Sequence, residues 1–265
     1  MIGNSGPVST SIASVYAANT KALSEALTRI ASGKKFQNAS EDLIGFIRSR
    51  NLNVDISGYE RVRENLTEFK AYTAASVQVG SSIYEDLTEM KELASQYAGT
   101  SDTDLRAEYA SEFNALRTQV ETALENTYVD GTLVTASGSA IKAVDLDPDG
   151  NGSLTMNYSD VASNTDVGAL DITDTTNAQT DVQTEIDSTL TYLSEAKAYN
   201  EIAEQQLNLT TTIINSKQAV VSLITDIDEA EETNRVLDLS VRQQASMAML
   251  AQGNMVQNSI SKLYE

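Results

Sequence analysis

Along much of this chain apolar residues recur at alternating intervals of four and three, the spacing that lines one face of an α-helix. The longest such series is Val62, Leu66, Phe69, Thr73, Ser76, Gly80, Ile83, Leu87, Met90, Ala94 and Tyr97. A helix over it is about 50 Å long at 1.5 Å per residue. It runs into Gly99-Thr100-Ser101-Asp102, a glycine stop followed by turn residues. Tyr109, Phe113, Leu116, Val120, Ala123 and Thr127 predict a second helix. A third follows Val182, Ile186, Thr189, Leu193, Ala196, Asn200, Ala203, Leu207, Thr210, Ile214, Lys217, Val221 and Ile224. It lies in a stretch from Ala169 to Gln252 that holds neither Gly nor Pro, far longer than the usual helix of about 11–12 residues. Thr, Ser, Asn and Lys occupy seam positions, which suits several helices in a bundle better than a two-stranded zipper.

Between Asp130 and Thr180 the pattern changes. Gly131, Gly138, Gly150, Gly152 and Gly168 punctuate short alternating runs such as Leu154-Thr155-Met156-Asn157-Tyr158, which predicts an insert of hairpins and turns. The predicted fold class is therefore mainly α, a long-helix bundle or coiled-coil rod with paired terminal helices and a small β-rich insert. Near the N-terminus, Ile12, Val15, Asn19, Ala22, Ala26 and Ile30 share a face. Near the C-terminus, Leu237, Val241, Ala245, Ala248, Gln252, Met255, Ser259 and Leu263 do the same. Both segments are rich in Ala, Ser and Gln, so each buries too little area to be stable alone and is expected to order on finding partners. Frayed termini are the plainer alternative.

Composition narrows the chemistry. The 265 residues include no Cys, His or Trp, and two prolines, Pro7 and Pro148. Disulfides, thiolate metal sites and cysteine nucleophiles are excluded, and the commonest general base and metal ligand is missing. We therefore expect no enzyme. The formal charge of −20 and pI near 4.2 argue against nucleic acid, whose phosphates need clustered Lys and Arg. The charge is uneven: Lys142 is the only basic residue between Arg117 and Lys197, whereas Arg29, Lys34, Lys35, Arg48, Arg50, Arg61 and Arg63 crowd the first quarter. This is either a solvated acidic face or a basic region of one subunit meeting an acidic surface of another. No apolar run is long enough to insert in a membrane, and Met1 to Ser14 lacks the pattern of a cleaved secretory signal.

Several short motifs add a family. Leu27-Thr28-Arg29-Ile30-Ala31-Ser32-Gly33 leads into Asn38-Ala39-Ser40-Glu41-Asp42-Leu43-Ile44-Gly45, which resembles the N-terminal signature of bacterial flagellins. Val8-Ser9-Thr10-Ser11-Ile12-Ala13-Ser14 is similar to the flagellin opening, with Ser9 and Ser11 where the family carries Asn. Ile224-Thr225-Asp226-Ile227-Asp228-Glu229-Ala230 resembles the C-terminal motif, and Gln243-Gln244-Ala245 and Leu250-Ala251-Gln252-Gly253-Asn254 follow in the family order. The resemblance covers residues 8–135 and 180–263 and implies a short form without large outer domains. It implies three regions: terminal helices 1–44 and 232–265 forming an inner filament core, a helical rod of 45–130 and 180–231, and a small outward-facing insert of 131–179. Subunit assembly would rest on Leu27, Arg29, Ile30, Gly33, Asn38, Asp42, Gly45, Ile224, Asp226, Asp228, Gln243, Gln244, Leu250, Gln252 and Asn254. The implied function is a structural subunit of the extracellular flagellar filament, serving motility. The implied partners are further copies of the chain, junction and cap proteins, an export chaperone and the flagellar export apparatus. A hook–filament junction protein of the same superfamily stays open as an alternative.

One local motif points elsewhere. Asp145-Leu146-Asp147-Pro148-Asp149-Gly150 resembles a calcium loop with oxygens at alternate residues, and Asp145, Asp147 and Asp149 are its candidate ligands. The twelfth position, a Glu in calcium-binding loops of this kind, is Met156. A polar turn is the plainer reading, and a calcium-dependent surface adhesin is the function that the loop alone would imply. No other cofactor is expected.

Overall fold

The computed structural model of the protein describes residues 6–138, 141–159, 161 and 164–263. Its helices are α1 (Gly6–Ser32), α2 (Leu43–Gly99), α3 (Thr103–Asn126), α4 (Asn164–Ala169), α5 (Ala178–Thr225) and α6 (Glu229–Leu263). The strands are β1 (Tyr128–Val129), β2 (Thr132–Leu133), β3 (Ala143–Asp145) and β4 (Ser153–Thr155). The fold is thus a long-helix bundle with a small antiparallel β insert, as the spacing predicts. The chain divides into two compact units, Met1–Val54 with Lys217–Glu265, and Asp55–Ser216.

The larger unit is a three-helix bundle of the α2, α3 and α5 segments. From Val62 to Ala94 every position of the α2 series is buried, the polar ones included, and Tyr97 is half-buried. Thr73 and Ser76 are tolerated because each hydroxyl turns back onto its own helix: Thr73 Oγ1 donates to the Lys70 carbonyl at 2.9 Å and Ser76 Oγ to that of Tyr72 at 3.1 Å. Helices α2 and α5 run antiparallel, from the Lys91 Nζ–Gln183 Oε1 bond at 2.5 Å to the Lys70–Glu204 ion pair at 3.2 Å. Between these ends Gly80 is what lets the Tyr192 ring lie against α2, because a Cβ there would stand 3.1 Å from the ring. Helix α3 returns along α2, with Gln119 Nε2 on Asp86 and the Arg106 guanidinium 5.0 Å from the centre of the Tyr97 ring. Asp102 starts α3 by accepting from the amides of Asp104 and Leu105, a side-chain cap of orphan donors.

The insert packs on this bundle. Asp130 and Gly131, both with positive φ, make the two-residue turn joining β1 to β2, the geometry whose twist matches a hairpin. Tyrosine hydroxyls fasten the next residues: Tyr72 donates to the Leu133 carbonyl and Tyr192 to the Val134 carbonyl, each at 2.7 Å. The Tyr158 ring meets Tyr192 and Tyr199 edge to face at 4.9 and 5.7 Å. Glu195 accepts from both the amide and the hydroxyl of Ser159. All three of Tyr72, Tyr158 and Tyr192 are buried. Removal from water raises each phenol above its usual pKa, that of Tyr72 to about 12.

The segment that resembles a calcium loop folds as a polar turn. Residues 146–152 are the tip of the β3–β4 hairpin. The Asp147 carboxylate is turned onto the amides of Asp149 and Asn151, and Gly150 takes positive φ to close the turn. Among the described residues no three acidic side chains converge to hold a metal ion. Met156 is fully buried in the core, and Pro148 seats on α2 at Gly58, where a Cβ would lie 2.6 Å from the proline Cβ.

Candidate assembly site

The smaller unit pairs α1 with α6 in antiparallel fashion, then ties the corner where α1 ends and α6 begins. Along the seam α1 presents Ile12, Tyr16, Asn19, Leu23, Ala26 and Ile30, while Val15 of the predicted face is half exposed. From α6 come Glu232, Val236, Leu239, Gln243, Ser246, Leu250 and Gly253. This seam is not the C-terminal face that the spacing picks out. Leu237, Val241, Ala245, Ala248, Gln252, Met255 and Ser259 do share a face, but it is the exposed one; the side chain of Leu263 lies outside the described residues. The inner seam is sparse in large apolar groups and rich in polar bonds. Asn19 donates to Ser246 at 3.4 Å, Gln243 to Thr20 at 2.9 Å, and Arg29 reaches the buried Glu232 carboxylate at 3.5 Å.

At the corner, Gly33 ends α1 in the left-handed region with φ of 68°, the conformation of a helix stop. Its carbonyl accepts from the Ile227 amide at 3.2 Å, and the Lys35 amide donates to the Thr225 carbonyl at 2.6 Å. A one-residue bridge joins Lys34 to Asp226. The Lys34 ammonium lies 2.5 Å from the Asp226 carboxylate, which also accepts from Ser222 and Thr225. These bonds, that to Lys34 foremost, hold the Asp226 carboxyl down at about 2. Asp228 then caps α6, its carboxylate accepting from Ala230 and Glu231 at 2.9 and 3.1 Å.

The start of α2 uses the same chemistry. Asp42 accepts from the Gly45 amide at 2.9 Å, and Phe36 is buried beside it. Gly45 has no room for a side chain: a Cβ would collide with the Asp42 carboxyl and come within 2.9 Å of the Phe36 ring. Gly45→Ala is therefore expected to reverse the usual helical gain of about 0.5–1 kcal/mol for that change and destabilise by about 1–2 kcal/mol through the lost cap. Urea unfolding followed by helical ellipticity measures this, with Gly253→Ala, where nothing lies within 4 Å, as the internal control. Greater stability for Gly45→Ala than for wild type contradicts the packing argument.

The predicted assembly residues thus separate into two sets. Arg29, Ile30, Gly33, Asp42, Gly45, Ile224, Asp226, Asp228, Gln243 and Leu250 lie in the seam, the corner or the caps. Leu27, Gln244, Gln252 and Asn254 are exposed. Asn38 is exposed too, in the turn whose Glu41 carboxylate caps the Gln37 amide at 3.0 Å, beside a polar hollow of 620 Å³ lined by Lys21, Glu25, Arg29 and Glu41. Lys34, Phe36 and Glu232, which stand in or beside the family motifs, are not among the predicted assembly residues. A basic residue five positions after the helix-end Arg29, opposite an Asp-x-Asp, is the available signal for Lys34.

Residues 6–137 match the family model described as the bacterial flagellin N-terminal helical region. The chain belongs to the flagellin family. It is 26% identical over 257 residues to a flagellin of Halalkalibacterium halodurans, with 90% of each chain covered. A flagellin of Listeria monocytogenes is 24% identical over 276 residues, covering 92% of this chain and 93% of that one. Flagellin FljK of Caulobacter vibrioides is 27% identical over 250 residues, covering 89% and 88%. Membership gives the motif residues of this flagellin a physical meaning: in this chain Gly33, Asp42, Gly45, Asp226 and Asp228 serve turns, caps and close packing. The family is one of structural proteins of the flagellum, and no described helix is long and apolar enough to cross a membrane.

Proposed function

We propose that this chain is a structural subunit that polymerises outside the cell into the helical filament of the flagellum. The observation that carries this is the outward apolar face of α6. At 100° per residue, Leu237, Val241, Ala245, Ala248 and Met255 centre about half a turn from the seam facing α1. Leu237, Val241 and Met255 are 60%, 65% and 62% exposed. A helix that already packs on one side and exposes an apolar stripe on the other belongs inside a larger assembly, and burying each such side chain yields roughly 1.5–3 kcal/mol. Further copies of the chain are the occupants this reading assigns to that face. Junction and cap proteins, an export chaperone and the export apparatus are the remaining partners it requires.

Electron microscopy of the purified full chain tests the proposal. Long tubular polymers are expected, and short assemblies or none would favour a junction role instead. Removing residues 240–265 is expected to leave a soluble helical protein that cannot polymerise. Charge sets a further expectation. At −20 per chain, like-charge repulsion opposes association and is screened over about 8–10 Å at physiological salt. Polymerisation monitored by light scattering is expected to speed up from low to moderate salt, and a rate indifferent to ionic strength removes charge as the barrier.

A further inference from the structure

The methionines of this chain are distributed unevenly between core and surface. Met90 and Met156 are fully buried in the larger unit, whereas Met247, Met249 and Met255 on α6 are 47%, 60% and 62% exposed. Met255 lies in line with Leu237 on the outward apolar face, Met249 borders that face beside Val256, and Met247 flanks the seam with α1. The chain has no Cys, so no thiol competes for an oxidant. A thioether is apolar and adaptable, whereas its sulfoxide is polar and chiral.

We propose that the exposed α6 methionines are a reversible oxidation site, in which Met249 and Met255 control association through the α6 outer face. The co-reactant is a hydroperoxide. A thioether lone pair attacks the distal peroxide oxygen, the O–O bond breaks, an S=O bond forms, and the peroxide leaves as water or an alcohol. Sulfur is oxidised by two electrons and the peroxide is reduced by two; a thiol-dependent sulfoxide reductase returns the thioether. A sulfoxide at Met249 or Met255 places a strong hydrogen-bond acceptor on a surface that must be desolvated when a second copy covers it. The inference rests on the polymerisation reading above. It also predicts that association shields the same sulfurs, so oxidation blocks assembly far more readily than it damages an assembled polymer.

The test treats the purified full chain with hydrogen peroxide, maps sulfoxides by peptide mass spectrometry, and measures polymer yield by sedimentation. Met247, Met249 and Met255 are expected to oxidise several-fold faster than Met90 and Met156, with polymer yield falling several-fold and helical ellipticity unchanged. The M247L/M249L/M255L variant keeps the apolar surface and is expected to polymerise equally before and after peroxide. Equal oxidation of the buried and exposed methionines overturns the inference. So does full polymerisation of the oxidised wild type, or peroxide sensitivity of the leucine variant. Untreated protein that never polymerises defeats the underlying reading instead, and the mapping of oxidised sites still decides whether α6 carries the reactive sulfurs.

Discussion

Val241→Asp is expected to abolish polymerisation while leaving the subunit folded. Val241 is 65% exposed and lies on the side of α6 turned away from α1, so the exchange removes no packing within the chain. Surface changes of that kind alter stability by about 0.5 kcal/mol or less. In an assembly that covers the face, the new carboxylate loses its water without gaining a partner, a cost of several kcal/mol for each ion. As each 1.4 kcal/mol is a tenfold change in affinity, the critical concentration should rise by at least two orders of magnitude. Sedimentation of the polymer and circular dichroism of the monomer measure the two effects separately. Val241→Leu is expected to assemble normally. Filaments of Val241→Asp at the wild-type concentration would remove the outer face of α6 from the interface.

The second large effect is alkaline unfolding of the larger unit. Tyr72, Tyr158 and Tyr192 are buried, and desolvation raises all three phenols, Tyr72 to about 12. A phenol whose folded pKa exceeds its unfolded value of about 10 keeps its proton longer in the folded state. Its stabilising contribution is therefore complete below pH 10 and is lost as pH rises toward the folded value. Each such tyrosine lowers stability by about 1.4 kcal/mol per pH unit in that window, so three together remove about 8 kcal/mol by pH 12. Domains are typically stable by about 5–15 kcal/mol, so cooperative loss of helix between pH 10 and 12 is expected, coincident with a late step in phenolate absorbance. Tyr158→Phe should move that midpoint to higher pH. A single ionisation step of all 11 tyrosines near the ordinary value, with helix content intact, would show that these rings are not locked in place.

Helical spacing made the α2 and α5 cores legible because both series face one continuous bundle. The residues it passed over there are instructive. Tyr72 and Tyr192 are off the predicted stripes, and their hydroxyls bond carbonyls of Leu133 and Val134 some sixty residues away in sequence, a pairing that no local pattern encodes. The α6 seam is hidden for a related reason. Counting apolar residues finds the strongest stripe, and that stripe is the outward one. The inner seam carries Glu232, Gln243, Ser246 and Gly253 and is almost silent on a hydrophobicity scale. The break between α5 and α6 contains neither Gly nor Pro. It exists because Asp228 caps a new helix while the backbone of Thr225 to Ile227 pairs with Gly33 to Lys35, so only the Asp-x-Asp spacing marked it.

The polar seam between α1 and α6 has one more consequence. A row of interlocking leucines comes apart only when many contacts fail together. Bonds such as Asn19 to Ser246 and Gln243 to Thr20 can be exchanged for water one at a time, each at a net cost of only about 0.5–1.5 kcal/mol. The two ends of the chain are therefore fastened like a row of buttons and not like a weld. That kind of fastening lets go without a high barrier and finds the same register again.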